Sequence, residues 1–285
     1  MASITVRAFA KINLSLRFTG VARPDGFHDL RTILQSIDLF DRVVCRSRRG
    51  SFAIRCDMKG VPTDPTNLVW KAARLLWEVA GGTGEPRNTI VSLRKRIPMQ
   101  AGLGGGSSDA AAALLALRRL WKLRVPDEEL HVIAAALGSD VPFFLVGGTA
   151  LGLGRGEDVY PLENLPPYRV VLAIPAFGIE TRDAYNWLDE RRWSVDTSYL
   201  PATWLGRRTA LANELEGPVM ARHPEIRRLK ERLKEQGAMM AAMSGSGSAV
   251  FGVFESRVVA NRAARALTRE GTRVLSARFR GRPCP

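Results

Sequence analysis

The chain predicts an α+β fold, with strands and helices segregated instead of alternating. Three observations carry this. The N-terminal segments up to Arg48 alternate apolar and polar side chains at the period of a strand, and helical periodicity first appears after residue 65. Later strands return as hairpin partners and not as regular βαβ units. The 285 residues suffice for a substantial core in one or two domains, and residues 147–167, rich in Gly and Pro, read as a hinge. The expected division is therefore 1–155 and 156–285.

Taken in order, residues 4–18 read as a strand pair or one long strand, with a turn over 19–26. Residues 32–39 and 41–48 read as two further strands. Residues 66–80 predict an amphipathic helix, because Leu68, Ala72, Leu75, Leu76 and Val79 recur at three and four. Residues 90–97 return to strand. Residues 110–121 hold no Pro or Gly and are rich in Ala and Leu, so they predict a helix, with Ser107, Ser108 and Asp109 favouring its start. A helix over 127–137 follows, with Pro126 at its start. Residues 149–153 and 168–174 are strand-like, 225–236 and 257–270 helical, and 249–254 and 273–278 strands again.

Composition excludes several classes. Hydrophobic residues make up 46% and charged residues 25%, an ordinary globular balance. No apolar run reaches the roughly 18 residues of a membrane span, and the start MASITVRAFAKINLSL has no secretory core, so a cytoplasmic protein is expected. Cys45, Cys56 and Cys284 are widely spaced and accompanied only by His28, His131 and His223, which predicts no metal site. The net charge of +14 admits nucleic acid, a membrane surface or anionic small molecules. With no long basic tract and no interleaved aromatic platform, the scattered Arg residues read as solvated faces, and neither nucleic acid nor membrane is expected as a partner.

The chemistry concentrates in residues 98–108: Pro98, Met99, Gln100, Ala101, Gly102, Leu103, Gly104, Gly105, Gly106, Ser107 and Ser108. Four glycines leave the backbone bare, so N–H groups can approach an anion together. The helix that follows adds its unpaired N–H groups and its dipole, both favouring phosphate. A flexible Gly/Ser linker is the bland alternative, but the place between a strand and a strong helix is wrong for one. No Gly-Lys-Ser/Thr closes the loop, so it is not a Walker A motif.

Three other groups stand out. Lys11 and Asn13 share one face of a strand, which by itself is most simply a wet face. Asp140, after Gly138 and Ser139, reads equally as a helix cap or a functional carboxylate. Phe27 and His28 follow Asp25-Gly26 in a turn, where partial packing is the ordinary reading.

These segments together resemble the GHMP kinases. The loop is similar to their ATP-binding motif, Pro-x-x-x-Gly-Leu-Gly-Ser-Ser, enlarged by Gly105 and Gly106 as in the branch that acts on 4-diphosphocytidyl-2-C-methyl-D-erythritol. Ala10-Lys11-Ile12-Asn13, Asp25-Gly26-Phe27-His28, Asn67-Leu68, Gly138-Ser139-Asp140-Val141-Pro142-Phe143-Phe144 and Met243-Ser244-Gly245-Ser246-Gly247-Ser248 resemble further motifs, so the likeness runs from residue 8 to residue 254. Ala101 and Phe27 stand where many members have Gly and Tyr.

The resemblance implies a two-lobed GHMP kinase fold, its N-terminal half like ribosomal protein S5 domain 2 and its C-terminal half ferredoxin-like. It implies ATP-dependent phosphorylation of the substrate's 2-hydroxyl, in the non-mevalonate route to isoprenoid precursors. Lys11 would neutralise charge at the transferring phosphoryl group and Asp140 would accept the hydroxyl proton. The loop and Asn67 would bind ATP. Asn13, Phe27, His28, Thr181 and Tyr185 would bind the substrate, with aromatic rings on the cytosine faces and His28 on its edge. Mg²⁺ is expected as the ATP counter-ion, with Ser107 or its neighbour the nearest candidate ligand. A monomer or homodimer is expected. Another GHMP kinase, such as homoserine kinase, is the near rival, and an RNA-binding protein on the S5-like fold the distant one.

Overall fold

The computed structural model describes residues 2–22, 28–190 and 212–282, with side chains left out at 20–22. Ten strands and eight helices are assigned among these residues. They form two compact units that interleave along the chain: unit 1 is Met1–Ala10, Phe40–Ile97 and Gly104–Val146, and unit 2 is Lys11–Leu39, Pro98–Leu103 and Gly147–Pro285.

The first strand, β1 (Ser3–Ala22), is single and long, and it pairs with β2 (His28–Ser51). The two strands expected over 32–39 and 41–48 are thus one, since no Gly or Pro stands at Phe40 to break it. Both strands pass from one unit to the other. In unit 1, β2 pairs antiparallel with β4 (Arg87–Arg94), which also takes β3 (Ala53–Cys56) in parallel. Helices α1 (Leu68–Val79), α2 (Gly105–Leu120), α3 (Asp127–Leu137) and α4 (Val141–Val146) share one core with these strands. Helix α1 buries Val69, Ala72, Ala73 and Leu76 and leaves Val79 outside. Burying one such Leu contributes about 1.5–3 kcal/mol.

In unit 2, residues 147–167 are not a bare hinge. They hold the antiparallel pair β5 (Thr149–Leu153) and β6 (Asp158–Pro161), and β5 pairs with the first half of β2. The turn between β5 and β6 is held by Glu157, which accepts from the Arg155 backbone N–H and guanidinium. The rest of the unit runs β7 (Arg169–Ile174), α5 (Thr181–Asp189), α6 (Glu216–Arg222), α7 (Pro224–Glu235), β8 (Met240–Met243), β9 (Val250–Phe254), α8 (Arg257–Arg269) and β10 (Arg273–Arg278). The sheet order is β10-β7-β9-β8, all antiparallel, with α7 and α8 contributing to the core on it. A β-α-β-β-α-β path in that order is the ferredoxin-like arrangement.

Candidate functional site

In unit 2, β1 presents Lys11 and Asn13, each 3% exposed, so this is not a wet strand face. Ile12 and Leu14, on the opposite face, are buried as well. A buried ammonium needs compensation. Lys11 Nζ donates to Asn13 Oδ1 at 2.6 Å, Asn13 Nδ2 donates to Thr32 Oγ1 at 2.8 Å, and Thr32 Oγ1 donates to the Ser15 carbonyl at 2.7 Å.

The first half of the glycine loop lies in the same unit. The Leu103 carbonyl accepts from Lys11 N–H at 3.1 Å. Gln100 and Ala101 carbonyls accept from the backbone of Ile179, Ser248 and Ala249, and Ser244 Oγ donates to the Gly102 carbonyl at 2.9 Å. A side chain at Gly102 (φ 70°) would put its Cβ 1.9 Å from the Ser244 carbonyl oxygen, so only glycine fits. The second glycine motif, residues 243–248, joins β8 to β9. Asn213, which the sequence did not single out, fixes it by donating to the carbonyls of Met243 and Gly245 at 2.9 and 2.8 Å.

His28 opens β2. Its Nε2 lies 2.9 Å from Asp189 Oδ1, and its buried Nδ1 has no hydrogen-bond partner among the described residues. Phe18 meets His28 and Tyr185 edge-on, each with ring centroids 5.6 Å apart. Tyr185 lies on α5, as do Thr181 and Asp189, and the spacing of four puts all three on one helical face. Thr181 Oγ1 lies 3.1 Å from Ser246 Oγ. The spacing could have revealed Asp189. Phe27 lies outside the described residues.

In unit 1, α2 begins at Gly105, so Gly105, Gly106, Ser107 and Ser108 form its first turn. The expected start at 107–109 is two residues late. Gly104, left-handed at φ 71°, is the cap, and no side chain caps the helix. Ser108 instead donates to the Phe9 carbonyl at 2.7 Å. A first turn of bare backbone without a side-chain cap is suited to an anion.

Beneath this turn sits a buried cluster absent from the sequence reading. Lys95 Nζ contacts Asp109 Oδ2 at 2.6 Å and also Asp41, whose other oxygen accepts from Ile97 N–H at 2.9 Å. Burial pushes the Asp109 carboxyl up to about 7, with the nearby Lys95 pulling it down and Asp41 pushing it further up. Burial lowers Lys95, but the two carboxylates outweigh it and leave its affinity for the proton raised. Asp109 Oδ1 is buried without a hydrogen-bond partner among the described residues. Asn67 is the cap of α1, its Oδ1 accepting from Val69 N–H at 2.8 Å and its Nδ2 donating to the Pro62 carbonyl at 2.6 Å. Asp140 is half-buried and immediately precedes α4. Lys11, Asn13, residues 98–103, Thr181, Tyr185 and His28 belong to unit 2, and residues 104–108, Asn67 and Asp140 to unit 1.

Comparison with known proteins adds further findings. Residues 67–148 match the family model described as the GHMP kinases N terminal domain, and residues 201–273 match GHMP kinases C terminal. The chain is 42% identical over 281 residues to 4-diphosphocytidyl-2-C-methyl-D-erythritol kinase of Solibacter usitatus, covering 95% of this chain and 87% of the relative. A solved structure of 4-(cytidine 5'-diphospho)-2C-methyl-D-erythritol kinase superposes with TM-score 0.79 at 36% identity, covering 98% of this chain and all of that one. Homoserine kinase from Cytophaga hutchinsonii superposes with TM-score 0.72 at 19% identity, over 99% of this chain and 95% of that one, and shares the fold.

Proposed function

The chain belongs to the GHMP kinase family, and from that premise we propose that it transfers the γ-phosphoryl group of ATP to the 2-hydroxyl of 4-diphosphocytidyl-2-C-methyl-D-erythritol. The observation that carries the substrate is the 42% identity, over nearly the whole of both chains, to a relative named for it. The division into 1–155 and 156–285 is part of this reading, and each family-model match falls inside one half.

Each residue takes a role its chemistry suits. The first turn of α2 and residues 99–104, with Pro98 ahead of them, cradle the ATP phosphates through the backbone N–H groups of the residues after the proline. Asn67, at the head of α1, lies by the nucleotide. Lys11 stabilises the charge that spreads over the transferring phosphoryl oxygens. Asp140 accepts the proton of the attacking hydroxyl. Among the described residues no three or more His, Cys, Asp or Glu are grouped to hold a metal. Mg²⁺ would arrive bound to the ATP phosphates, with Ser107 or its neighbour as the nearest candidate ligand, and would supply charge neutralisation there. Phe27 and Tyr185 stack on cytosine, Thr181 and Asn13 contact the substrate, and His28 reads the base edge. A cytoplasmic location accords with the described helices, none of which is long and apolar enough to cross a membrane.

One coupled assay of ADP release tests the substrate. The cytidyl compound should turn over and homoserine and mevalonate should not. Phe27→Ala should weaken the cytidyl substrate by about tenfold or more, since a stacked ring contributes about 1–3 kcal/mol per base. ATP affinity should hardly move, and Phe27→Tyr should be near neutral. Equal effects on both ligands would remove the base from the substrate.

A further inference from the structure

We infer that Thr32 is a positioning residue for phosphoryl transfer, orienting the Asn13 amide and through it the Lys11 ammonium. This rests on the reading of Lys11 as the cation at the transferring group.

The inference comes from the direction of three hydrogen bonds. A threonine hydroxyl has a single proton. Thr32 spends it on the Ser15 carbonyl, 2.7 Å away, a group that can only accept. Toward Asn13, 2.8 Å away, Thr32 Oγ1 is then an acceptor alone, so the amide must turn its NH₂ to Thr32 and its oxygen to Lys11 Nζ at 2.6 Å. The reversed amide would set NH₂ against the ammonium and oxygen against oxygen. In a buried site neither clash can be relieved by water. Thr32, Asn13 and Lys11 are all 3% exposed.

The rotamer that makes this possible is fixed by packing. Thr32 is β-branched, so its χ1 angle is stiff. It stands opposite Gly152 of β5, and a Cβ at Gly152 would lie 2.9 Å from Thr32 Cγ2. The bare glycine thus accepts the Thr32 methyl and leaves the hydroxyl facing β1. Gly245 performs the same service on the far side, where a Cβ would lie 3.2 Å from both Lys11 Nζ and Asn13 Oδ1. The ammonium is aimed by a chain that begins at a backbone carbonyl.

Steady-state kinetics of Thr32→Val, Thr32→Ser, Lys11→Met and the Lys11→Met/Thr32→Val double variant test this. Thr32→Val keeps the shape and deletes the proton; kcat should fall about tenfold to a hundredfold, the scale of a small misplacement of a catalytic group. The KM for ATP should stay within a few-fold. Thr32→Ser should recover most of kcat, and the double variant should be no slower than Lys11→Met alone. If Lys11→Met abolishes turnover while Thr32→Val keeps wild-type kcat, or if the two losses multiply in the double variant, Thr32 does not act through Lys11 and the inference is overturned. If Lys11→Met itself retains wild-type kcat, the reading of Lys11 fails first and the inference with it. Should Thr32→Val not fold, Thr32→Ala measured against Thr32→Ser carries the same comparison.

Discussion

Asp140 shows how one substitution separates two readings of a side chain. As a base it needs a carboxylate; as a cap before α4 it needs only an oxygen that accepts a backbone N–H. Asparagine caps about as well as aspartate, so Asp140→Asn keeps the cap and removes the base. Turnover should drop by about two orders of magnitude or more while the unfolding midpoint holds, measured by single-substrate kinetics beside a denaturation curve. A few-fold loss would return Asp140 to a structural role. At this scale the sequence singled out residues that sit in a motif, as with Lys11, Gly102 and His28. It was silent on Thr32, Asn213, Asp41 and Lys95, whose partners lie tens to hundreds of positions away or carry no local pattern. Thr32 meets Asn13 across a separation of 19 residues, and Asn213 meets Gly245 across 32.

At the scale of elements, the start of α2 decides the phosphate site. Gly104 holds φ 71°, where a β-branched residue is an outlier costing about 1–3 kcal/mol. Gly104→Val should swing the first-turn N–H groups away and raise the KM for ATP by about tenfold, equivalent to about 1.4 kcal/mol of lost binding. The circular dichroism should be little altered and the KM for the cytidyl substrate nearly constant. An unchanged nucleotide KM in a folded variant rules this turn out. The same helix carries the Asp109 carboxyl against Lys95, and burial raises its pKa from 3.8 to about 7. The folded protein thus keeps a proton that the unfolded chain surrenders, so this group's contribution is present below about pH 4 and is lost as pH rises toward 7. Asp109→Asn should then gain stability relative to wild type between about pH 5 and about pH 8, read from denaturant midpoints at each. A gap that closes in the opposite sense contradicts the assignment. Helix α2 was legible in composition, but its first two residues were not, because glycine is the poorest helix former after proline and only the αL cap and the close-packed surroundings make it suitable there.

For the molecule as a whole, the α+β class could be read from element order, but the interleaving of the units could not. Composition marks boundaries only where the chain leaves one core for good. Here β1 and β2 run through both units without any break in strand pattern, and residues 147–167 resemble a linker in composition while forming a hairpin. Net charge is the property most clearly collective. The chain carries +14, and both proposed substrates are polyanions. A field of that sign raises the local concentration of substrate when it is not screened. The Debye length falls from about 30 Å at 0.01 M salt to about 10 Å at 0.1 M, so the distant Arg residues lose their reach first. We therefore expect kcat/KM for ATP and for the cytidyl substrate to fall several-fold between those conditions, with kcat nearly constant, because capture and not chemistry carries the effect. The free Mg²⁺ concentration must be held fixed, so that salt does not act through the metal. A kcat/KM independent of salt would mean that the scattered charges are solvated and serve solubility alone. Salt-sensitive binding of RNA with no effect on kcat/KM would point the excess charge at a different partner.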